Sequence, residues 1–438
     1  MTAALAASKL TGCFSLAFDA AIFLFLLDTA IDPADRLLHA KVPLFLITVV
    51  LFLALYGRAA IQRAWESKWI VWYVLLFAGI PATSILLAHF HLPTVQSDGM
   101  SMLKGYLLIA LFPILAFSER NEYRNFSYVM IFIAFLIYLI FAAMIAFPNI
   151  AESMYWFGRD NGMFYLDVRS YGPGMEMLQI YYATSPLILV SIAYLSYIFS
   201  QSSGALRLSL LFGGIVIVTE SMFIAGTRAN MFGAILLLLA LACTLRRKIA
   251  HAVFAVVLVI QLLFGGIILN SIQPVFSLQK NFRISQNSNQ FNSLSAMLDR
   301  SEKSNAIKLA YLNDYKRIFS NWETLLWGRG LGTYEFWTAR NRYFPLSELT
   351  YLEIIRNFGI FGAFMMFGLL AYPFLWGFIL NQNVQLRSLS VAYAIYLIAC
   401  AINPNLFSSM GVTLLSICLA NIYIRDRQKR GPQADLPI

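Results

Sequence analysis

Residues 128–147 read YVMIFIAFLIYLIFAAMIAF, a run without a single charged side chain. An α-helix needs about 20 apolar residues to cross the roughly 30 Å hydrocarbon core of a bilayer. Lipid offers no hydrogen bonds, so a spanning segment must satisfy its backbone groups within a helix or a closed barrel. The run is continuously apolar rather than alternating, which favours a helix over a barrel strand. This stretch therefore predicts a transmembrane helix.

Similar stretches recur along the whole chain. They are Thr11–Ala30, Val42–Tyr56, Trp69–His89, Met102–Phe117, Tyr181–Phe199, Leu208–Ala225, Met231–Thr244, Ile249–Leu269, Phe358–Leu380, Leu389–Ile402 and Gly411–Ile424. Hydrophobic residues make up 59% of the chain and charged residues 12%, whereas a soluble domain is about 25% charged. The sequence predicts an all-α polytopic membrane protein with about twelve transmembrane helices.

The short loops predict the orientation of these helices. With the N-terminus inside, the cytoplasmic connections hold most of the short-loop Lys and Arg residues, as the positive-inside rule requires. The outer turns 90–100 and 403–410 hold none, and the first outer loop, with Arg36 and Lys41, is the exception. We expect both termini in the cytoplasm. The predicted organisation is nine helices in 1–269, a large outer loop in 270–357, three helices in 358–424 and a cytoplasmic tail in 425–438.

The large outer loop is basic and has internal organisation. It contains eleven Lys or Arg residues against seven Asp or Glu residues. Long loops cross the membrane regardless of charge, so the excess suits either an anionic, membrane-held ligand or a merely solvated surface. Nucleic acid is not expected as a partner outside the cytoplasm. Within the loop, Ser301–Phe319 has the pattern of an amphipathic helix, and Gly328–Gly332 is a glycine-dense turn.

Arg228 lies in the short segment AGTRAN, residues 225–230, between the predicted spans seven and eight. A charged residue held so tightly between apolar helices is a functional candidate. The alternative is an arginine that anchors the hairpin at the membrane surface. The loop between spans five and six adds Arg159 and Arg169. The four cysteines and four histidines lack metal-site spacing, so we predict neither a metal nor another cofactor.

Several degenerate motifs occur in a recognisable order. They are FIAGTRAN at 223–230 before a span, Arg317, GRGLG at 328–332, LSELTYL at 346–352 and NFGIFG at 357–362. In this order and topology the chain, over about residues 208–380, resembles the O-antigen polymerase and ligase superfamily. The resemblance implies a glycosyltransferase-C-like fold in the bacterial inner membrane, with a periplasmic active site. It also implies an undecaprenyl-pyrophosphate-linked oligosaccharide as substrate and allows a chain-length regulator protein as a further partner.

The implied reaction suggests roles for particular residues. A sugar hydroxyl of one repeat unit attacks the anomeric carbon of another chain, and the departing pyrophosphate needs fixed cations. Arginine suits this task because its planar fork binds two phosphate oxygens. We expect Arg228 as the main pyrophosphate contact and Glu348 to orient or deprotonate the acceptor hydroxyl, although Glu348 could equally serve the helix N-terminus. Further contacts to pyrophosphate or glycan are expected from Arg159, Arg169, Arg300, Arg317, Tyr334 and Tyr351.

Three alternatives stay open. Ligases of the superfamily commonly carry a histidine before the tenth span, but this chain has none after His251, which favours a polymerase. A glycan-to-protein transferase of the same superfamily is a second alternative. A lipid-linked oligosaccharide flippase or other transporter is the third, although transporters usually carry ionisable residues in their spans. Here Asp19 and Glu220 are the main exceptions in nearly uncharged segments.

Overall fold

The computed structural model describes residues 2–91, 98–147, 150–172, 175–225, 227–245, 255–257, 259, 303–401, 403 and 405–430. The helices of these parts are α1 (Thr2–Ile31), α2 (Lys41–Glu66), α3 (Lys68–His91), α4 (Gly99–Leu107), α5 (Leu111–Phe117), α6 (Tyr123–Ala146), α7 (Ala151–Asp160), α8 (Ile188–Gln201), α9 (Ala205–Ile224), α10 (Arg228–Thr244), α11 (Lys303–Phe319), α12 (Trp322–Trp327), α13 (Thr350–Phe374), α14 (Val384–Cys400) and α15 (Ser409–Arg430). The strands are β1 (Phe164–Gly172), β2 (Met175–Tyr182), β3 (Glu335–Trp337) and β4 (Arg342–Phe344). A 3₁₀ turn joins α4 to α5, another precedes α8, and a π-helical segment, Leu375–Leu380, extends α13.

Seven helical segments of the described chain are long and apolar enough to cross a membrane: Gly12–Ile31, Lys41–Glu66, Lys68–His89, Gly99–Phe117, Tyr123–Met144, Ala205–Ile224 and Thr350–Leu380. Three shorter apolar helices accompany them. Large apolar side chains point outward, and Phe364 is 80% exposed, an arrangement that suits lipid and not water. The helical, multi-pass character predicted from the sequence is confirmed. The predicted span Ile249–Leu269 lies outside the described residues except for 255–257 and 259.

Hydrogen bonds between connecting segments show which helix ends lie together. Tyr182 Oη donates to the carbonyl oxygen of Ile31 (2.6 Å), and Gln179 Nε2 donates to that of Ala225 (3.0 Å). Contacts of this kind gather the segments that connect the helices at one end of the bundle, which we call the loop-rich end. Its described segments are 32–40, 98, 147, 150–172, 175–187, 225, 227, 320–349, 401, 403 and 405–408.

Basic side chains collect at the other end, which we call the arginine-rich end. Glu119 forms ion pairs with Arg63 (3.0 Å) and with Arg427 (2.7 Å), and Arg120 pairs with Asp19 (2.8 Å). Further basic residues at this end are Arg58, Lys68, Arg124, Arg207, Arg387 and Arg425. The charge asymmetry found in the sequence therefore maps onto the two ends of one helix bundle.

The two basic residues of the first outer loop, the exception among the short loops, have local structural partners. Lys41 is buried, and its Nζ donates to the carbonyl oxygens of Asp32 (3.2 Å) and Pro33 (2.9 Å). Arg36 Nη1 donates to the carbonyl oxygen of Asp160 (3.2 Å). Both cations hold connecting segments together, which explains their place at the loop-rich end.

The loop predicted between spans five and six contains structure that the sequence did not reveal. After α7, strands β1 and β2 form an antiparallel hairpin in which Phe164 lies opposite Tyr182. The sixth span was predicted to begin at Tyr181, but Tyr181 and Tyr182 end β2 and the helix starts after them. The boundary was missed because a short apolar run fits a strand end and a helix start equally well.

The described part of the large outer loop forms a small domain with its own core. The predicted amphipathic helix is confirmed as α11, on which Tyr311, Tyr315 and Ile318 are buried against Trp337 of β3. The indole Nε1 of Trp337 donates to the carbonyl oxygen of Phe344 on β4 (2.9 Å). Residues 303–349 therefore pack around one buried tryptophan.

Helix α13 begins earlier than the predicted tenth span. It starts at Thr350 rather than at Phe358, and it is kinked at Gly359, where φ is 66°. A side chain at that φ would be strained, and Gly359 also approaches the backbone of Leu326 and Trp327 closely. The predicted boundary between loop and span coincides with this kink. The continuous apolar run starts there, but the helix has already begun at Thr350.

The glycine turn 328–332 docks the outer-loop domain onto the helix bundle. The amide of Gly330 donates to the carbonyl oxygen of Asn357 on α13 (3.1 Å). The carbonyl oxygen of Gly332 accepts from the amide of Asp98 before α4 (2.9 Å). All three glycines of the turn have positive φ. Glycine adopts this conformation readily because it has no Cβ.

Replacing Gly330 by alanine is expected to loosen this docking. The new Cβ would contact Ala88 Cβ and lie 2.6 Å from the carbonyl oxygen of Ser84, at a φ of 90°. A non-glycine residue in such a conformation costs about 1–3 kcal/mol, so the unfolding temperature should fall and proteolysis within 303–349 should accelerate. Gly79→Ala is the control. Gly79 lies in α3, the helix that carries Ser84 and Ala88, but a Cβ at Gly79 would meet open space. Equal unfolding temperatures for the two variants would contradict the docking role.

Candidate functional site

Two clefts open side by side at the loop-rich end. The Tyr106 cleft, of about 220 Å³, is lined by Met102, Tyr106, Leu346, Ser347, Thr350, Glu353, Ile354, Asn357, Phe407 and Ser408. The Thr184 cleft, of about 190 Å³, is lined by Pro33, Ala34, Gly162, Ala183, Thr184, Pro186, Leu187, Tyr396, Asn405 and Ser408. Ser408 lines both, so the two clefts adjoin across the segment that precedes α15.

One wall of the Tyr106 cleft is aromatic. Tyr106 of α4 and Phe407 stack with their ring centroids 4.5 Å apart and their planes 26° apart. Phe358 of α13 meets the Tyr106 ring edge-on, with centroids 6.1 Å apart. Residues far apart in the sequence thus build an apolar wall. Tyr106 is buried beneath Phe407, so Phe407 is the ring of this wall on which a ring-shaped ligand can pack.

The opposite wall is polar and comes mainly from the first turns of α13. Thr350, Glu353 and Asn357 recur at spacings of three and four, so they share one face of the helix. Asn357 is 2% exposed, and its Oδ1 has no hydrogen-bond partner within the described part of the chain. A buried acceptor without a donor is uncommon. It marks a place where a hydrogen-bond donor of a ligand fits.

Behind this wall lies Arg356, whose side chain is fully buried. Its Nη1 donates to the carbonyl oxygen of Thr333 (3.0 Å), and its Nη2 donates to that of Pro345 (2.7 Å). Its Nε donates to Glu353 Oε1 (3.1 Å), and the guanidinium lies 5.7 Å from the ring centroid of Trp337. Burying a charge is costly unless it is paired and hydrogen-bonded. This arginine meets both conditions and fixes the Glu353 carboxylate.

Tyr315 links the buried pair to the outer-loop domain. Its hydroxyl donates to Glu353 Oε2 (2.7 Å) and is also hydrogen-bonded to Ser347 Oγ. A tyrosine has one phenolic proton, so the Ser347 hydroxyl is the donor in the second bond. Burial, and then the charge of Glu353, raises the pKa of Tyr315 well above its usual value. The tyrosine therefore stays protonated and keeps both partners in place.

Arg228 opens α10 directly after the short hairpin predicted between two spans. Thr227 caps this helix, with Oγ1 accepting from the amide of Asn230 (3.2 Å). The side chain of Asn230 donates to Ser185 Oγ (2.8 Å) in a buried contact, and both chain neighbours of Ser185 line the Thr184 cleft. The backbone of Arg228 therefore lies beside the Thr184 cleft. Its side chain is outside the described part of the chain.

The other arginines predicted for the site fall into two groups. Arg159 is exposed on α7 at the loop-rich end, with its guanidinium 5.2 Å from the ring centroid of Trp156. It lines neither cleft. Arg169 lies on β1, but its side chain is outside the described residues, as is Arg300 altogether.

Three further predicted contacts have structural partners. Arg317 is exposed and donates to a backbone carbonyl of β3 (2.9 Å), so that it ties α11 to the strand. Tyr334 donates to Asp98 Oδ2 (2.7 Å) and secures the glycine turn. Tyr351 donates to a backbone carbonyl of α14 (2.6 Å) within the bundle. None of them lines either cleft.

The carboxylate at the Tyr106 cleft is Glu353, whereas the sequence suggested Glu348. Glu348 forms an ion pair with Arg340 on the surface of the outer-loop domain. Burial acts to lower the pKa of Arg340, but the hydrogen bond and charge of Glu348 outweigh it and the pKa is raised. The two acidic residues are close in sequence, yet they face different surroundings because α13 has begun at Thr350.

Sequence reasoning passed over Arg356, Glu353 and Asn357. A signal was present, because Glu353 and Arg356 stand three residues apart in a segment that is otherwise apolar. At that spacing two side chains share a helix face. Treating 346–357 as a loop, rather than as a helix start, hid the pattern.

Comparisons with known proteins return no match: no family model, no curated protein and no solved structure resembles this chain. The function is therefore inferred from the residues and geometry of the site.

Proposed function

We propose that this chain is a polymerase of lipid-linked oligosaccharide repeat units, like the O-antigen polymerases that its motifs resemble. The supporting observation is the pair of adjoining clefts at the loop-rich end, one aromatic and polar, the other beside Arg228. A polymerase must hold two glycan chains next to each other at the membrane surface. Two clefts that share Ser408 offer this arrangement.

The proposed topology follows the charge asymmetry. Twelve spans would place the arginine-rich end and both termini in the cytoplasm. The loop-rich end and the large loop 270–357 would then lie in the periplasm of a bacterial inner membrane. The substrate, an oligosaccharide on undecaprenyl pyrophosphate, reaches the clefts from the outer leaflet.

The proposed reaction is a substitution at the anomeric carbon of the donor chain. The hydroxyl oxygen of the acceptor repeat unit bonds to that carbon, and the bond from carbon to pyrophosphate oxygen breaks. Undecaprenyl pyrophosphate leaves with the electron pair, and Arg228 stabilises its growing charge. Arg159, Arg169 and Arg300 are proposed as further cations along the pyrophosphate path.

The hydroxyl proton needs an acceptor, and we assign this role to Glu353 in preference to Glu348. Glu353 lines the Tyr106 cleft, and its Oε2 keeps a lone pair beyond the bond from Tyr315. The proton is released as the new bond forms, when the attacking oxygen is already acidic. Glu353 accepts the proton at that moment.

Glutamine variants separate the two carboxylates. Glu353→Gln should reduce chain elongation at least about 100-fold, within the range for loss of a general base. Glu348→Gln should stay within about twofold of the wild type, because the Glu348 carboxylate pairs with Arg340 outside the clefts. Polymer length on gels of the extracted polysaccharide is the measurement. The reverse order of effects would restore Glu348 as the base.

Deletion of the gene followed by glycan analysis tests the proposed function. A polymerase predicts lipid A-core capped by a single repeat unit in the deletion strain. Polymer stranded on its lipid carrier would instead indicate a ligase. Repeat units trapped on the cytoplasmic side would indicate a flippase, and a missing protein-linked glycan would indicate a glycan-to-protein transferase. Any of these last three outcomes would contradict the polymerase.

A further inference from the structure

The Tyr106 cleft lacks the chemistry that a pyrophosphate needs. Among the described residues its lining contains no Lys or Arg, and its one ionisable carboxylate is Glu353. Phosphate groups are bound by cations and by clustered N–H donors. This lining therefore disfavours an anion. Because Arg356 already pairs with Glu353, the cleft does not attract a cation either, so its ligand is neutral.

The hydroxyl groups of the polar wall have their protons engaged and can still accept hydrogen bonds. Thr350 Oγ1 donates to a backbone carbonyl (2.9 Å), as does Ser408 Oγ (2.7 Å), and Ser347 donates to Tyr315. A hydroxyl has one proton and two lone pairs, so these oxygens remain as acceptors. The unpartnered Oδ1 of Asn357 adds another. The matching ligand carries several hydroxyl donors.

The opposite wall and the volume narrow the ligand further. Phe407, which stacks on the buried Tyr106, offers an apolar aromatic surface. A volume of about 220 Å³ is below the roughly 300–1,000 Å³ of sites for drug-sized ligands. One small ring therefore fits better than an oligosaccharide. A neutral sugar ring has one apolar C–H face and a rim of hydroxyl donors, which matches both walls.

We infer that the Tyr106 cleft is the acceptor subsite, where the terminal neutral sugar of the acceptor chain binds. The donor pyrophosphate is assigned to the Thr184 cleft, on the other side of Ser408. The described lining of that cleft holds no Lys or Arg either, so Arg228, whose backbone lies beside it, has to supply the cation. This inference rests on the proposed function, because it assigns its two substrates to the two clefts. The acceptor ring packs on Phe407, and one of its hydroxyls donates to Asn357 Oδ1.

Binding of a neutral probe tests the assignment. The probe is the repeat-unit oligosaccharide, freed from its carrier by mild acid, titrated calorimetrically into the full chain in nanodiscs. Phe407→Ala and Asn357→Leu should each weaken binding about fivefold or more, through loss of stacking and of one hydrogen bond. Asn381→Leu is the control, since Asn381 is equally buried (1% exposed) and has an unpartnered side-chain nitrogen but lines neither cleft. It should bind the probe within about twofold of the wild type.

The inference is supported if both cleft variants lose affinity while keeping the wild-type unfolding temperature, and if inorganic pyrophosphate does not displace the probe. It is overturned if the wild type does not bind the probe, if both variants bind it normally, or if pyrophosphate competes with it. Asn357→Leu keeps the backbone carbonyl that accepts from Gly330, so it also tests the cleft if Phe407→Ala fails to fold. Failure of the proposed function shows separately, as unchanged polymer in the deletion strain.

Discussion

Replacing Arg228 by alanine is expected to reduce chain elongation at least about 100-fold, the effect of removing one preorganised donor from a developing charge. The protein should still insert, because the hairpin is held by contacts of its neighbours. Thr227 caps α10, and Asn230 binds Ser185. The measurements are polymer length in a complemented deletion strain and the amount of the protein in the membrane fraction.

Two further variants show whether charge or geometry matters at this position. Arg228→Lys keeps the charge but not the two-pronged contact, so we expect it to lose most of the activity as well. Arg207→Ala is the control: Arg207 is exposed near the start of α9, at the opposite end of the same helix pair. It should elongate like the wild type. Full-length polymer from Arg228→Ala would remove the central cation from the proposed mechanism.

Replacing Arg356 by methionine is expected to destabilise the fold by about 3–5 kcal/mol, because it leaves a buried carboxylate unpaired. Arg356 is fully buried. Without it, Glu353 loses its ion-pair partner and two backbone carbonyls lose their hydrogen-bond donor. The outer-loop domain should undock, since Tyr315 reaches the bundle through the same carboxylate. A lower unfolding temperature and rapid proteolysis within 303–349 would show it.

The double variant Arg356→Met with Glu353→Leu separates stability from activity. Apolar replacement of a whole buried ion pair is often neutral or stabilising, whereas removing one partner is not. The double variant should therefore be more stable than Arg356→Met alone and still fail to elongate chains. If the double variant were less stable than Arg356→Met, the unpaired Glu353 carboxylate would not be the cause of the destabilisation.

Sequence reasoning located the neighbourhood of the site better than its residues. The hairpin at Arg228, the amphipathic helix α11 and the positive φ of the glycine turn were all foreseen, since each depends on residues within a few positions. Glu348 was proposed and Glu353 was not considered, because which acidic residue faces a cleft depends on where α13 begins. The start of α13 at Thr350 is held by contacts with distant segments, such as the hydrogen bond from Thr350 Oγ1 to the carbonyl oxygen of Asn403 (2.9 Å), which local propensity does not reveal.

The sequence alone determined that this chain is a bundle of apolar helices with basic residues at one end. Span-length apolar runs and loop charge act locally, through transfer of side chains and backbone between water and lipid. Only the tertiary structure decided that Tyr106 and Phe407 form one wall of a cleft and that Arg356 is buried behind the other. Such contacts join segments far apart in the chain, and hydropathy carries no information about which helix ends meet.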